Sequence, residues 1–101
     1  MYLIQVLLPL ADNRGKRISR ESFVAVKDEL SRRFGGVTAY VQSPAEGQWM
    51  DNGRKSIDQV ITVEVMSGGA HRKWWRRYRK ALEVKFRQKQ VIVRMHRTEL
   101  L

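Results

Sequence analysis

Basic residues are concentrated in one segment of the chain. Nine of the 20 Lys and Arg residues lie between Arg72 and Lys89, where Glu83 is the only acidic residue, so the segment carries +8 of the formal charge of +10. Guanidinium and ammonium groups at this density bind phosphate or carboxylate groups and release the counterions of a polyanion. Seven of them form a candidate anion-binding or nucleic-acid-binding set: Arg72, Lys73, Arg76, Arg77, Arg79, Lys80 and Arg87.

The spacing of these charges is costly for a helix. Arg72 and Arg76 are four residues apart, and each like-charge pair at this spacing destabilises a helix by about 0.2–0.5 kcal/mol. Earlier in the chain Glu29 precedes Arg33 by four residues, which is the favourable arrangement of opposite charges. A face that is only solvated does not require the unfavourable pattern. The pattern therefore favours an anionic partner, either nucleic acid or an acidic protein.

A second group of residues can form a ligand pocket, although its members lie far apart in the sequence. Arg94 can bind an anionic group of a ligand, and Glu64 or His96 can transfer a proton. The loop Pro44–Trp49 is either a lid over the pocket or a rigid turn that covers the sheet. The full set is Gln5, Tyr40, Glu46, Trp49, Glu64, Arg94 and His96.

The composition excludes several kinds of chemistry. There is no cysteine, so disulfides, zinc–thiolate sites and thiol catalysis are ruled out. No glycine-rich phosphate loop is present, and His71 and His96 are 25 residues apart without a matching carboxylate spacing. We therefore expect no metal, no cofactor and no catalytic residue of a recognised motif.

Length and hydropathy predict a single domain over residues 1–101. The chain is 43% hydrophobic, which is too high for a disordered chain. Its longest apolar stretch, Val6–Ala11, is interrupted by Pro9 and is far shorter than the ~20 residues that cross a bilayer. The first residues lack the basic leader of a secretion signal. We expect a cytoplasmic protein without membrane insertion.

Hydrophobic periodicity predicts four main strands and two helices. Phe23, Val26, Leu30 and Phe34 recur at helical spacing after Ser19, a typical N-cap residue, and a Gly-Gly pair then supplies a left-handed ending. The other predicted elements are strands Tyr2–Leu10, Val37–Gln42, Gln59–Met66 and Gln90–His96 and a second helix from Ala70 to about Gln88. The polar segment Ser43–Asp58 contains Asn52-Gly53, which is typical of hairpin turns, and we expect the flanking strands to extend into it.

The order of elements predicts the fold class and the faces of the sheet. Strand–helix–strand–strand–helix–strand is the order of the ferredoxin-like sandwich, an α+β fold with both helices on one face of a four-stranded antiparallel sheet ordered 4-1-3-2. Alternation then sets Arg94, Gln5, Glu64 and Tyr40 in one row across the open face, where Arg94 and Glu64 flank Gln5 within hydrogen-bonding reach. One stripe of the second helix should face the core: Trp74, Trp75, Tyr78, Ala81, Leu82 and Phe86.

The open face is also rich in apolar side chains. Leu3, Leu7, Met66 and Ile92 lie around the polar row, and together they form more apolar surface than a small monomer leaves in water. Three covers are possible: a second copy in a homodimer, the segment Ser43–Asp58, or a small-molecule ligand.

The chain resembles two groups of proteins. The strand order and covered sheet face of the chain are similar to those of the dimeric α/β-barrel superfamily. The haem-degrading members of that superfamily resemble this chain in having an amide side chain on the first strand, here Gln5, and a histidine near the second helix, here His71. Their tryptophan on the third strand is missing here, which argues against haem chemistry. The stretches 33–39, 44–49 and 74–78 resemble small bacterial proteins of about this length without an assigned activity. That resemblance implies the fold and a bacterial cytosolic setting.

These observations predict a non-enzymatic, homodimeric domain that presents the basic helix 72–89 to an anionic partner. The alternative is a small-molecule-binding protein or a minor enzyme of the dimeric α/β-barrel type that uses the open sheet face.

Overall fold

A computed structural model of the chain describes residues 1–42, 49–51, 54–56 and 60–101, and it describes side chains outside residues 40–59. The described part contains six strands and two helices. In chain order these are β1 (Tyr2–Pro9), α1 (Arg20–Phe34), β2 (Thr38–Gln42), β3 (Trp49–Asp51), β4 (Arg54–Ser56), β5 (Val60–Ser67), α2 (Arg72–Lys85) and β6 (Ile92–Arg97).

The main sheet has four antiparallel strands. The first strand, β1, pairs with β5 on one side and with β6 on the other, and β2 pairs with the far edge of β5. The order β2-β5-β1-β6 is the predicted order 4-1-3-2 read from the opposite edge. The predicted α+β, ferredoxin-like fold is therefore confirmed.

A short hairpin lies between the second and third of the long strands. Its strands β3 and β4 form a separate two-stranded sheet, in which Asp51 pairs with Arg54 on either side of the Asn52-Gly53 dipeptide. The expected extension of the long strands into Ser43–Asp58 falls on residues 43–48 and 57–58, which lie outside the described residues, and it stays a prediction.

The first helix begins and ends where the sequence predicts. Ser19 has the extended backbone of an N-cap residue, but its hydroxyl contacts the Ser22 hydroxyl at 2.9 Å instead of capping a backbone N–H. At the other end Gly35 has a φ of +82°, and its N–H donates to the Ser31 carbonyl at 2.8 Å. This is the left-handed ending for which glycine is favoured.

The second helix is shorter than predicted at both ends. It covers Arg72–Lys85, because His71 before it and Arg87 after it both have a left-handed backbone, with φ values of 47° and 51°. Placing Arg87 on the charged face of the helix is therefore wrong. The Arg87 carbonyl instead accepts the N–H of Asn13 at 3.1 Å.

The core lies between the sheet and the two helices. Ile4, Val6 and Leu8 of β1 are fully buried, as alternation predicts, and Ala39 is exposed because β2 is an edge strand. A ring pair joins the two helices: Phe23 of α1 packs edge-on against Phe86, the residue after α2, with 5.4 Å between the ring centroids. The buried core residues are Ile4, Val6, Leu8, Phe23, Val26, Leu30, Val63, Val65, Trp75, Tyr78, Leu82, Phe86 and Val91.

Two features are absent from the described ranges of the chain. Neither helix there is long and apolar enough to span a bilayer. No cluster of three or more His, Asp or Glu residues suited to a metal ion occurs in the same ranges.

Candidate ligand site on the open face of the sheet

Three polar side chains from three neighbouring strands are hydrogen-bonded to one another on the open face. Gln5 of β1 pairs with Glu64 of β5 and with Arg94 of β6. The Gln5 Nε2 donates to Glu64 Oε1 at 3.0 Å, and Arg94 Nε donates to Gln5 Oε1 at 2.8 Å. The expected contact of both flanking residues with Gln5 is present. We refer to Arg94, Gln5 and Glu64 as the polar row.

The polar row is accessible from solvent. Arg94 is exposed, and Gln5 and Glu64 are half-buried. Within the part of the chain that the structure describes, Arg94 forms no ion pair, and its Nε donates a hydrogen bond to the neutral amide of Gln5. Since the guanidinium donates one hydrogen bond from Nε, its other N–H groups can bind an oxyanion.

Tyr40 does not lie in the polar row. The pairing of β2 with β5 sets Thr38 opposite Glu64 and sets Tyr40 opposite Thr62. The fourth position of the row is therefore Thr38, whose side chain is exposed. Sequence alternation could not find this residue, because a shift of two residues along a strand leaves every side chain on the same face.

The proposed lid lies mostly outside the described residues. Glu46 is outside them altogether. Tyr40 and Trp49 belong to β2 and β3, but the structure does not describe their side chains. A lid formed by Glu46 and Trp49 stays a prediction.

His96 lies beside the polar row rather than in it. It is opposite Leu3 of β1 and two residues from Arg94 on the same strand face, and it is exposed. It makes no hydrogen bond to the row among the described residues. Its expected part in proton transfer stays a prediction.

Apolar side chains surround the polar row, as predicted. Leu3, Leu7 and Met66 are half-buried, and Ile92 has 50% of its surface exposed. Thr62, two residues from Glu64 on β5, is fully buried. The face is therefore covered near Thr62 and accessible around the polar row.

The helix stripe predicted to face the core does so in most positions. Trp75, Tyr78 and Leu82 of α2 are buried, Trp74 is half-buried, and Ala81 is exposed. On the opposite side of α2, five basic residues are exposed: Arg72, Lys73, Arg76, Arg77 and Lys80. Arg79 is half-buried. This basic face points away from the core, whereas the polar row lies on the far side of the sheet.

One side-chain contact beside α2 was missed by sequence reasoning. The guanidinium of Arg33 lies 4.4 Å from the centroid of the Trp74 ring, which itself stacks on Tyr78 at 4.8 Å. Arg33 forms no ion pair with Glu29 in the described part of the chain, although their spacing favours one. The adjacent groove has a volume of about 670 Å³ and is lined by Ala25, Asp28, Glu29, Arg32, Arg33 and Trp74. The sequence alone does not indicate this contact, because it depends on how the two helices pack against each other.

Two polar atoms in the helix layer are buried without a partner among the described residues: Trp75 Nε1 and the Tyr78 hydroxyl. Burial raises the pKa of Tyr78, and the charge of Glu29 adds to that effect. Neither atom is accessible from solvent.

Comparison with solved structures finds the same fold in an enzyme. A phage SAM lyase in complex with S-methyl-5′-thioadenosine matches with a TM-score of 0.64 and 15% identity, over 94% of this chain and 79% of that one. The same type of enzyme in the apo state matches with a TM-score of 0.61 and 16% identity, over 94% of this chain and 78% of that one. No protein-family model and no curated protein matches the chain.

These likenesses correct the principal interpretation of the sequence. A non-enzymatic domain that presents the basic helix to an anionic partner is contradicted by structural neighbours that are small-molecule enzymes, and the alternative is favoured. At 15% identity these neighbours show the fold of this chain, and they leave open whether it is an enzyme.

Proposed function

We propose that this chain binds a small organic ligand on the open face of its sheet, and that this ligand belongs to the S-adenosylmethionine and methylthioadenosine class. The observation that carries the proposal is the polar row, in which three strands contribute side chains joined at 2.8 and 3.0 Å. The fold shared with a lyase that binds S-methyl-5′-thioadenosine supports the choice of ligand class.

The chemistry of the face suits such a ligand. Leu3 and Met66 offer apolar surface for an adenine ring or a thioether, because apolar contacts dominate most small-molecule sites. Arg94 supplies an exposed guanidinium for an anionic group. The few polar groups then fix the orientation of the ligand.

Turnover of the ligand is part of the proposal. Glu64 is held next to Gln5, and His96 is exposed two residues from Arg94, so either side chain can handle a proton when a bond of the ligand breaks. The reaction class is a lyase, as in the phage enzymes. A cytoplasmic location remains a prediction.

Self-association of two copies belongs to the same proposal. Ile92 is half exposed at the rim of the face, next to Leu7 on the paired strand. A second copy packed on this rim would form a homodimer with the polar row between the two sheets. Ile92→Asp should then give a monomer in sedimentation, whereas Val84→Asp on the exposed side of α2 should leave the dimer intact. A wild-type monomer would contradict the homodimer.

The test of ligand binding is titration of the protein with S-methyl-5′-thioadenosine and with S-adenosylmethionine, followed by NMR shifts of backbone amides. Shifts should concentrate on β1, β5 and β6. Gln5→Leu removes the amide that orients Arg94 and Glu64 and should therefore weaken binding roughly tenfold, which corresponds to about 1.4 kcal/mol. Gln90→Leu, at an exposed position before β6, is the matched control.

Turnover is measured in the same samples by chromatography of the nucleoside products. Release of methylthioadenosine from S-adenosylmethionine by the wild type, and its loss in Glu64→Gln or in a His96→Gln variant, would support the lyase reaction. Absence of binding by both ligands at millimolar concentration, or shifts confined to α2, would overturn the proposed function.

A further inference from the structure

A groove lies between α2 and β6, which is an edge strand of the main sheet. The groove has a volume of about 290 Å³ and is lined by Trp75, Arg76, Arg79 and Val93. Because Val93 pairs with the core residue Val6, the groove lies on the helix side of the sheet, whereas the polar row lies on the other face. We refer to it as the arginine groove.

The helix contributes a row of arginines along this groove. Arg72, Arg76 and Arg79 are four and three residues apart, so they lie on one side of α2. Glu83 continues the same row, and its carboxylate accepts the N–H of Val91 at 2.9 Å, next to the start of β6. This side of the helix therefore faces the edge strand, and its one acidic residue is already hydrogen-bonded to the backbone.

A fourth arginine comes from the strand itself. Arg97 at the end of β6 pairs with Tyr2 of β1, and its guanidinium carbon lies 5.9 Å from the centroid of the Tyr2 ring. A hydrogen bond from Arg97 and then its charge lower the pKa of the Tyr2 phenol, and Arg72 contributes in the same direction. The guanidiniums of Arg72 and Arg97 therefore converge on one phenol oxygen from two different elements.

The positive charge along the groove has no counter-charge. Among the described residues none of these four arginines forms an ion pair. Arg79 is half-buried, and a guanidinium that loses water without gaining an anion is costly. The side chains that line the groove offer hydrogen-bond donors and no acceptor. A ligand with several negatively charged oxygens would supply both the charge and the acceptors.

The spacing of the arginines indicates the length of such a ligand. Along the axis of α2, Arg76 lies about 6 Å beyond Arg72, and Arg79 lies about 4.5 Å further. A single phosphate or carboxylate can reach only one end of this row, whereas a chain of linked phosphates has oxygens along its whole length. Arginine is also the side chain whose planar fork binds phosphate oxygens in pairs.

We propose that the arginine groove binds an oligophosphate group, with its terminal phosphate between Arg72 and Arg97 and the rest of the chain along Arg76 and Arg79. The site goes beyond the proposed function, since it lies on the helix side of the sheet and shares no residue with the polar row. The group can belong to an inorganic polyphosphate or to a nucleotide, because both carry the same chain of phosphates.

The test is calorimetric titration of the full chain with phosphate, pyrophosphate and tripolyphosphate at about 0.15 M salt. Affinity should rise from one phosphate to three, because each added group reaches a further arginine. Backbone amide shifts caused by tripolyphosphate should lie on α2 and β6. Titration with ATP distinguishes the two sources: tighter binding than tripolyphosphate indicates a nucleotide, and equal binding indicates recognition of the phosphate chain alone.

Variants on two sides of α2 separate the groove from general electrostatic attraction. Arg76→Gln and Arg97→Gln should each weaken tripolyphosphate about tenfold, because each removes charged hydrogen bonds to phosphate. Arg77→Gln is the matched control, since it removes the same charge from the same helix, but Arg77 lines a different groove beside His71 and Trp74. It should change the affinity by no more than about twofold, because salt screens a charge that does not contact the ligand.

Three results would overturn the oligophosphate site. Equal weakening by Arg76→Gln and Arg77→Gln would mean that tripolyphosphate responds only to the overall charge, as a nucleic acid does. Equal affinities for phosphate and tripolyphosphate, or no binding of tripolyphosphate at millimolar concentration, would also contradict it. None of these results affects binding of S-methyl-5′-thioadenosine to the polar row, which is titrated separately. A backbone amide spectrum of each variant that matches the wild type excludes unfolding as the cause.

Discussion

The carboxylate of Glu83 accepts the backbone N–H of Val91 at 2.9 Å, and this bond joins α2 to the chain entering β6. Val91 is buried, so its N–H has no water to replace a lost partner. The only acidic residue in the basic segment is therefore a structural anchor. It holds the strand that carries Arg94 against the helix layer.

Replacement of this anchor should lower stability. Glu83→Ala leaves the Val91 N–H unpaired, so the free energy of unfolding should fall by about 1–3 kcal/mol, measured by urea denaturation. Glu83→Gln keeps an acceptor oxygen and should lose less. Glu99→Ala, an exposed carboxylate, is the control. Equal stability of Glu83→Ala and the wild type would contradict the anchor.

The hydrogen bonds of Asp12 indicate how the stability of the protein changes in acid. Its Oδ1 accepts the backbone N–H of Lys16 at 2.8 Å and of Arg14 at 2.9 Å. The Lys16 bond is the main cause that lowers the Asp12 pKa below its usual value. The stabilisation it provides is therefore present above about pH 4 and is lost as the pH falls through the pKa of the folded state.

The measurement is urea denaturation between pH 2 and pH 7. The stability of Asp12→Asn should depend less on pH below about pH 4 than that of the wild type, because the variant lacks this titrating group. Asp28→Asn, an exposed position on α1, should follow the wild-type curve. If Asp12→Asn and the wild type lose stability in parallel, the carboxylate has no such role.

The burial of Tyr78 indicates how the stability of the protein changes in base. Its hydroxyl is buried without a partner in the described part of the chain, and burial raises the pKa of the group. The neutral phenol is therefore favoured by folding, and this contribution is complete below about pH 10 and is lost as the pH rises further. Wild type should lose stability above about pH 10 more steeply than Tyr78→Phe.

At neutral pH the two substitutions of Tyr78 should differ sharply. Tyr78→Phe removes only an unpaired hydroxyl, so thermal denaturation should show equal or higher stability. Tyr78→Ala removes a buried ring that stacks on Trp74, and it should cost about 3–5 kcal/mol. A large loss in Tyr78→Phe would mean that the hydroxyl has a partner that stabilises the fold.

Two adjacent glycines offer a matched pair for the end of α1. Gly35 has a φ of +82°, and Gly36 does not have a left-handed backbone, while an added Cβ would meet no atom within 4 Å at either position. Gly35→Ala should therefore cost about 1 kcal/mol through backbone strain alone, and Gly36→Ala should be near neutral, both measured by urea denaturation. Equal effects of the two substitutions would contradict a left-handed requirement at Gly35.

The fold was predictable because its signals are local and redundant. Phe23, Val26 and Leu30 at helical spacing and the Gly35 ending define α1 without knowledge of any neighbour. Alternation along β1 places Ile4 and Val6 in the core and Gln5 on the open face. Four such strands with two amphipathic helices have few compact arrangements, so the strand order followed.

The candidate site was predictable only for residues of β1 and of the two strands that pair directly with it, β5 and β6. Gln5, Glu64 and Arg94 come together because β5 and β6 flank β1 in the predicted order. Tyr40 was misplaced because alternation fixes which face of β2 a residue lies on but not which residue of β5 it is paired with. Arg87 was misplaced because a helix end depends on caps and packing as well as on periodicity.

The amino-acid sequence alone determined the α+β class, the faces of the sheet and the residues of the polar row. These features depend on the periods of two residues in a strand and 3.6 residues in a helix. Only the tertiary structure decided that Thr38 rather than Tyr40 faces Glu64, that Arg33 covers Trp74, and that the amide of Gln5 points its oxygen at Arg94. Those outcomes depend on register, ring packing and hydrogen-bond direction between segments far apart in the chain. No local pattern encodes such distances.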